Sequence, residues 1–365
     1  MKDVKMRPLT EAEVAEAVAG ASGPLLVRGG GTRTLGHATG EVLETGGLTG
    51  IELYEPGALT LVVRAGTPLA GVEAALADER QRLAFECPDL RALLGREGVS
   101  TIGGVVAANA SGPRRVQVGA ARDALLGVRF VDGTGAIIKN GGRVMKNVTG
   151  YDLVKLIAGS RGTLGVLTEV SFKTQALPEA ETTLVIEGLG DEAGLAALRQ
   201  ALGSPYDISG AARHSGRSLV RIEGMTGSVG YRVGRLQDLL PGEVSLASGE
   251  ASAALWREVR DVTPFVGKPG DVWRLAALPT AAAEIVARLE SEAIWDWAGG
   301  LIWVLAEPGR GPVVAAAVAG RGHATLVRGE GGPVFPPEAA EVAALTAGLR
   351  ATFDPKGILN RGMMG

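Results

Sequence analysis

Three glycine-rich segments in the first half of the chain constrain its fold more strongly than any other feature of the sequence. They read RGGGT at residues 28–32, TIGGVVAANASG at residues 101–112 and GYDLVKLIAGSRGTLGVLTEV at residues 150–170. Because glycine has no Cβ, such segments let the backbone approach a ligand closely and aim several N–H groups at one anion. The chain has 55 glycines, of which 28 lie in residues 1–180, so the glycine content marks no domain and only the clustering is informative.

The first segment follows a predicted apolar strand and carries charge as well as glycine. Arg28 and Arg33 supply positive charge, and Thr32 and Thr34 add hydroxyl donors. This combination suits a pyrophosphate, whereas a plain surface turn is an equal alternative for such a loop taken alone. A dinucleotide-binding GxGxxG motif is excluded because it needs glycine at the position of Thr34. A P-loop is excluded because the only Gly-Lys pair of the chain precedes Pro269 instead of serine or threonine.

The overall composition excludes several classes of protein. The formal net charge is -3, so the chain lacks the basic excess that nucleic-acid-binding proteins carry. Its single cysteine, Cys87, excludes an intrachain disulfide, a cysteine-bound iron–sulfur cluster and a cysteine-rich zinc site. No apolar run approaches the ~18 residues of a membrane-spanning helix, and the first residues lack the apolar core of a signal peptide. We therefore expect a cytoplasmic protein without direct membrane insertion, associated with a membrane only through partner subunits.

The pattern of predicted helices and strands divides the chain into three parts. Residues 1–178 alternate short apolar strands with few helices, and Pro178 with its acidic neighbours predicts a linker. Residues 179–332 alternate six predicted strands with four helices in two βαβ-type halves. That rhythm favours an antiparallel sheet with helices on one face. Residues 333–365 hold one more helix and a tail.

The order of the three glycine segments resembles the FAD-binding domains of the vanillyl-alcohol oxidase type, the PCMH fold, over residues 24–174. SGPRR at residues 111–115 and GRVMKNVTGYD at residues 142–152 resemble, more narrowly, the FAD-binding E subunits of glycolate oxidases. FDPKGILNRGMM at residues 353–364 is similar to the family's closing segment, which returns to the flavin domain. The resemblance implies an α+β fold, in which an FAD-binding domain of two α+β subdomains is joined to a cap domain with an antiparallel sheet covered by helices.

Carried over to this sequence, the resemblance implies a set of FAD-binding residues. The pyrophosphate would lie on the first segment, the flavin near Pro88, and the adenine end on backbone groups of the third segment. The residues are Arg28, Gly29, Gly30, Gly31, Thr32, Arg33, Thr34, Pro88, Thr101, Gly103, Gly104, Asn109, Gly112, Gly165 and Val166. Many members of the family attach flavin to a histidine of the first loop. Here the nearest histidine is His37 and Cys87 lies outside the loop, so we predict non-covalent FAD.

The sequence offers only weak candidates for catalysis. Oxidising a 2-hydroxy acid by hydride transfer to flavin needs a base for the hydroxyl proton and a cation for the carboxylate. His323, on a predicted strand, is the candidate base, with a purely structural histidine as the alternative. Arg274 is the candidate carboxylate ligand, with a solvated arginine on a packed sheet as the alternative. Related dehydrogenases carry a histidine-rich metal motif in the cap, and because nothing like it occurs here we predict no metal site.

The resemblance also implies partner subunits. In glycolate oxidases a second flavin subunit carries the metal motif and a third subunit carries iron–sulfur clusters. We therefore expect an FAD-binding subunit of a complex that oxidises glycolate to glyoxylate and passes electrons through flavin to those partners. Two alternatives are a self-sufficient FAD-dependent 2-hydroxy-acid dehydrogenase and a scaffold subunit that has lost flavin. Arg114 and Arg115 would contact either a partner or the substrate.

Overall fold

The computed structural model describes residues 5–142, 150–330 and 333–364. Within these residues the strands form three sheets. The strands are β1 (Lys5–Met6), β2 (Leu25–Arg28), β3 (Glu41–Glu44), β4 (Ile51–Glu55), β5 (Thr60–Arg64), β6 (Gln81–Leu83), β7 (Leu125–Val131), β8 (Ile137–Gly141), β9 (Val166–Ala176), β10 (Ala180–Glu187), β11 (Ile208–His214), β12 (Arg217–Gly224), β13 (Glu243–Ser248), β14 (Asp271–Ala277), β15 (Glu292–Asp296), β16 (Leu301–Ala306) and β17 (Gly322–Arg328). The helices are α1 (Glu11–Gly20), α2 (Leu69–Asp78), α3 (Arg91–Leu94), α4 (Ile102–Ala107), α5 (Arg115–Val118), α6 (Ala121–Ala124), α7 (Leu153–Ile157), α8 (Asp191–Leu202), α9 (Thr226–Leu239), α10 (Glu250–Asp261), α11 (Ala282–Leu289), α12 (Gly311–Val318) and α13 (Ala340–Phe353).

The smallest sheet is parallel and has the strand order β1-β3-β2. Helix α1 covers it through the fully buried Val14 and Val18, which lie four residues apart on one face. The helix begins at Thr10, whose Oγ1 accepts a hydrogen bond of 3.2 Å from the backbone N–H of Glu13. This cap satisfies one of the free N–H groups of the first turn.

The second sheet is antiparallel, with the strand order β4-β5-β9-β7-β8, and β6 pairs with the end of β9. The eleven-residue strand β9 is central because it pairs with both β5 and β7. Its Val170 and Phe172 are fully buried, and α2 and α4 contribute Val72 and Val105 to the same core. These two sheets with their helices form the first lobe of the molecule.

The third sheet is antiparallel and has the order β13-β10-β12-β11-β15-β16-β14-β17 in the described part of the chain. Helices α8, α9, α11 and α12 cover one face, where Leu198 and Ile285 are fully buried. The other face packs against α10 through Trp256 and against the first lobe through Leu93. This sheet and its helices form the second lobe, referred to as the cap.

The cap contains elements that the sequence pattern does not predict. Strand β13 is an edge strand whose residues are mostly exposed, so it lacks the apolar alternation that marks a strand. Helix α11 ends at Leu289, because the next residue, Glu290, adopts a left-handed φ of 49°. The next residues form β15, which the prediction misses together with α10.

The chain passes between the lobes at residues 177–179, between the end of β9 and the start of β10. The domain boundaries at residues 178 and 332 stay predictions. Among the described residues, no helix combines the length and apolar character that crossing a membrane requires. The same residues contain no group of three acidic, histidine or cysteine side chains able to hold a metal ion.

A buried ion cluster joins the two lobes. Arg114 of the first lobe, 1% exposed, donates two hydrogen bonds of 2.9 Å to the carboxylate of Glu223 in the cap. Arg82 of the first lobe also pairs with Glu223, at 2.6 Å. In a further pair the arginine belongs to the cap and the carboxylate to the first lobe: Arg221 donates to Glu86 at 2.8 Å. These charges fix the cap relative to the first lobe.

Candidate functional site

The first glycine loop, Gly29–Thr34, leaves β2 and packs tightly against the residues that precede α4. A Cβ on Gly30 would lie 1.6 Å from the carbonyl oxygen of Val99, and one on Gly29 would lie 2.4 Å from Oγ1 of Thr101. Both distances are far below van der Waals contact, so these glycines are required by contacts inside the protein as well as by any ligand. The close packing joins the first glycine segment to the start of the second.

This loop forms one wall of a cleft of about 80 Å³. Gly104 and Ala108 from the second segment, Arg161 from the third, and Met363 from the tail complete the walls. Within the described residues, the backbone N–H groups from Gly30 to Thr34 donate to no protein acceptor. A row of backbone donors without protein acceptors therefore borders the cleft, and such a row can bind an anion.

The C-terminal tail completes the cleft. Leu359 forms a parallel bridge with Leu25 of β2. The side chain of Asn360 accepts a hydrogen bond of 2.7 Å from the N–H of Val27 and donates one of 2.7 Å to the carbonyl of Arg161. Asn360 thus ties β2 to the third glycine segment directly beside the cleft.

Both arginines of the first segment line the cleft, but their hydrogen-bond and ion-pair partners differ. The guanidinium of Arg33 donates to the carbonyl of Pro88 at 2.8 Å and to Oγ of Ser100. Its Nε is buried and has no hydrogen-bond partner in the described part of the protein. Arg28 instead pairs with Glu44 at 2.6 Å, so its charge is already neutralised.

A second and larger cavity, of about 380 Å³, lies between the two lobes. The first lobe contributes Pro88, Asn109 and Arg115 to its wall, and the cap contributes Arg274, Trp297, Trp303 and His323. The residues that line both the cleft and this cavity are Arg33, Leu35, Ala108 and Arg161. The cleft and the cavity are therefore neighbouring parts of one site.

The cavity is lined by four arginines and, among the described residues, by no acidic side chain. Burial lowers the pKa of Arg161 to about 10. Burial, together with the charges of Arg115 and Arg161, lowers the pKa of Arg274 to about 10. Both guanidinium groups stay protonated at neutral pH, so the cavity attracts anions.

His323 lies at the start of β17, next to Ala276 of β14. Its pKa is lowered from the usual value by burial and by the charge of Arg274. The imidazole is therefore neutral at pH 7 and able to accept a proton. The structure brings both weak catalytic candidates of the sequence, His323 and Arg274, to the same cavity.

Trp297 lines this cavity and has an unusual backbone conformation. Its φ is +53°, a left-handed conformation that is costly for a bulky residue. Its backbone N–H donates to Oδ1 of Asp296 at 2.8 Å, and its Nε1 donates to the carbonyl of Gly112 at 3.1 Å. Burial raises the pKa of Asp296 to about 7.

Several predicted cofactor residues do not line either cavity. Gly103 packs against Ala65, and Gly165 packs against a phenylalanine of β7, each at a distance that leaves no room for a Cβ. Val166 is fully buried in the core beneath α1. Gly112 contributes only its carbonyl, which holds Trp297. The cofactor roles of these four glycine-segment residues stay predictions.

The structure also separates the two arginines of SGPRR. Arg114 is buried against the cap, whereas Arg115 faces the cavity. The sequence does not identify Arg161 or Trp297 as site residues. Arg161 could have been found, because it is a charged residue inside the third glycine segment. Of the segment GRVMKNVTGYD, residues 143–149 lie outside the described residues.

Comparison with known proteins decides the family. A family profile described as FAD binding domain matches residues 3–141. Glycolate oxidase subunit GlcE of Escherichia coli (strain K12) is 36% identical over 345 residues, which are 93% of this chain and 92% of that protein. The chain belongs to the GlcE family. Membership in this FAD-binding family confirms the cofactor predicted from the three glycine segments.

This GlcE-family chain is similar to other oxidoreductases over shorter regions. Glycolate oxidase subunit GlcD of Bacillus subtilis (strain 168) is 44% identical over 24% of this chain and 18% of that protein. A D-lactate dehydrogenase of Archaeoglobus fulgidus is 34% identical over 41% of this chain and 33% of that protein.

Solved structures show the fold. One of alkyldihydroxyacetonephosphate synthase aligns with a TM-score of 0.69 and 16% sequence identity, over 97% of this chain and 76% of that chain. The likeness confirms the predicted α+β architecture of the PCMH type.

Proposed function

We propose that the chain is the FAD-binding subunit of a glycolate oxidase complex, in which it supports the oxidation of glycolate to glyoxylate. The observation that carries the proposal is the continuity between the donor-rich cleft and the arginine-lined cavity through Arg33 and Arg161. FAD would occupy both, with its pyrophosphate in the cleft and its flavin ring in the cavity. The similarity to GlcE over nearly the whole chain supports this assignment.

The residues present fit non-covalent FAD. The free N–H groups from Gly30 to Thr34 and the unpartnered Nε of Arg33 would hold the pyrophosphate. A buried donor without an acceptor, such as the Nε of Arg33, is costly, so a ligand that supplies an acceptor stabilises this loop. Thr101 and Gly104 line the same cleft, and Pro88 and Asn109 line the cavity in which the flavin would lie. FAD, when bound, supplies a hydride acceptor.

Side chains of this chain supply the remaining requirements of 2-hydroxy-acid oxidation. Arg274 would hold a carboxylate, because its guanidinium faces the cavity without an acidic partner among the described residues. His323, neutral at pH 7, would accept the hydroxyl proton. These two roles favour a second candidate function, a dehydrogenase that turns over substrate without partner subunits.

Electron transfer beyond the flavin would use other chains. With one cysteine in the whole sequence, this chain has too few thiolates for an iron–sulfur cluster. We propose a second flavin subunit and an iron–sulfur subunit as partners, and membrane association only through them.

The test is anaerobic reduction of the flavin by glycolate, with and without partner subunits. A purified chain that carries FAD and is reduced only with its partners supports the complex. Reduction of the isolated chain by glycolate supports the self-sufficient dehydrogenase instead. A colourless chain that takes up no added FAD contradicts both and leaves the scaffold alternative.

Arg33 gives a site-directed form of the same test. Arg33→Gln should weaken FAD binding by roughly tenfold or more, since a hydrogen bond to a charged group contributes ~1.5–3 kcal/mol. The measurement is the dissociation constant from flavin fluorescence. Arg235→Gln is the control, because Arg235 is about half exposed on α9. Equal affinities of the two variants would exclude the proposed role of Arg33.

A further inference from the structure

The cavity between the lobes contains more positive charge than a monocarboxylate substrate and FAD require. Arg33 and Arg161 line the cleft as well as the cavity and so lie where the two negative charges of a pyrophosphate would be. Arg115 and Arg274 line the cavity but not the cleft. In the described part of the chain no carboxylate lies within ion-pair distance of either one. Two cations are therefore left for the substrate.

Both cations are held against one indole ring. The Cζ atom of Arg115 lies 4.8 Å from the ring centroid of Trp297, and that of Arg274 lies 5.5 Å from it. Arg115 donates one hydrogen bond, of 3.1 Å, to Oγ of Ser111. Arg274 donates none to the described residues, so almost all N–H groups of the pair are free to face a ligand.

This arrangement is energetically unfavourable in the protein without a ligand. Trp297, whose ring contacts both guanidinium groups, has a left-handed backbone conformation. Its ring N–H donates a hydrogen bond to the carbonyl of Gly112, which fixes the ring. Like charges placed side by side in a partly buried cavity repel each other, and among the described residues the charges of Asp123 and Asp296 act on Arg115 and Arg274 without forming an ion pair with them. A conformation of this kind is typical of a binding site whose ligand supplies the missing charge.

We propose that this cavity binds a small dicarboxylate, with one carboxylate on Arg115, the other on Arg274, and Trp297 as the residue that positions both. A carboxylate and a guanidinium match each other in two parallel hydrogen bonds, so each free arginine can hold one carboxylate. The proposal rests on the proposed function in placing FAD beside the cavity. It extends that function by adding small dicarboxylates, 2-hydroxy dicarboxylates among them, to glycolate as ligands of this cavity.

The test compares ligands that differ by one carboxylate. Isothermal titration calorimetry of the FAD-loaded chain would compare malonate with acetate, neither of which has a hydroxyl group that the flavin could oxidise. A second comparison, of tartronate with glycolate, would be made under anaerobic conditions. The dicarboxylate of each pair should bind roughly tenfold to a hundredfold more tightly, as expected for one additional charged hydrogen-bonded pair. Arg115→Gln and Arg274→Gln should each reduce this ratio to near one. Arg235→Gln, on the outer face of α9, should keep it.

Folding can be checked in the same samples. Arg274 has no hydrogen bond to lose, and the relief of repulsion offsets the lost contact with the ring of Trp297, so Arg274→Gln should unfold near the temperature of the wild type. Malonate should raise the unfolding temperature of the wild type and leave that of Arg274→Gln unchanged. Trp297→Leu should weaken malonate binding although both arginines are present.

The outcomes separate this proposal from the proposed function. Equal affinity for malonate and acetate, or no binding of either by the FAD-loaded chain, would overturn the dicarboxylate site. If the chain binds no FAD, the proposed function fails, and the titration is repeated on the chain as purified. Because Arg115, Arg274 and Trp297 belong to the protein, the malonate preference is still expected there, and its absence would overturn the site.

Discussion

Gly30 is the residue at which a single methyl group decides whether the first glycine loop can form. A Cβ at this position would lie 1.6 Å from the carbonyl oxygen of Val99. Gly30→Ala should therefore displace the loop, lowering both the unfolding temperature and the affinity for FAD. Gly71→Ala is the matched control: its Cβ would meet no atom within 4 Å in α2, and removing a helical glycine should stabilise by ~0.5–1 kcal/mol. Normal FAD binding by Gly30→Ala would show that the loop does not hold the cofactor.

Asp296 makes the stability depend on pH. Burial raises its pKa from 3.8 to about 7, so the folded protein holds a proton that the unfolded chain releases within this range. The free energy of unfolding should fall as the pH rises through that window. Asp296→Asn keeps an oxygen for the N–H of Trp297 and carries no charge. It should unfold at a higher temperature than the wild type at pH 8, with a smaller difference at pH 5.

The magnitude of this effect is bounded by the size of the pKa shift. One unit corresponds to about 1.4 kcal/mol, so Asp296→Asn should stabilise the protein by a few kcal/mol at most at pH 8. Asp238→Asn is the control, because the Asp238 carboxylate is 77% exposed. Thermal unfolding at the two pH values is the measurement. A gain of the same size at both would show that ionisation of Asp296 is not its cause.

Among the structural elements, the C-terminal tail is held to the first lobe by the side chain of Asn360 as well as by backbone contacts with β2. Asn360, 2% exposed, bonds to the N–H of Val27 and to the carbonyl groups of Val27 and Arg161. Asn360→Ala should destabilise the protein by about 2–3 kcal/mol, because buried backbone groups lose their partners. It should also weaken FAD binding, since Arg161 lines the cleft. Denaturant unfolding and flavin fluorescence measure the two effects.

A second variant separates the side-chain bonds from the backbone conformation. Asn360 has a φ of +45°, which glycine adopts without strain. Asn360→Gly should therefore cost nearly as much as Asn360→Ala, because the lost hydrogen bonds dominate. A neutral Asn360→Gly would show that the tail is held by its other contacts, such as the bridge between Leu359 and Leu25.

The elements also show what the sequence could predict. The three glycine segments, taken in order, predict the PCMH-type fold and FAD although each alone is compatible with a surface turn. Edge strand β13 escapes prediction because little of it is buried, so its sequence carries no alternation. Strand β15 is missed because it follows α11 so closely that only Ser291 and the left-handed Glu290 separate the two.

At the scale of the whole molecule, the cavity between the lobes is beyond sequence reasoning. Trp297 and Gly112 are 185 residues apart in the chain, and their hydrogen bond forms only because the cap folds back on the first lobe. The same closure brings Arg115 of one lobe to Arg274 of the other. Sequence patterns report local periodicity, so they identify Arg274 and His323 as candidates and leave their common surroundings open.

The buried ion cluster between the lobes should set the stability of the closed arrangement. Arg114→Met would leave the carboxylate of Glu223, 5% exposed, with fewer partners, at a cost of about 3–5 kcal/mol. The double variant Arg114→Met/Glu223→Gln should cost less than the sum of the single variants, because both ends of one pair are removed. Lys268→Met is the control, since Lys268 and Glu292 are each nearly half exposed and such pairs contribute at most ~1 kcal/mol.

Denaturant unfolding measures the energies, and faster proteolysis within residues 177–179 of Arg114→Met would report separation of the lobes. Strict additivity of the single and double variants would contradict a direct coupling between the lobes through this pair.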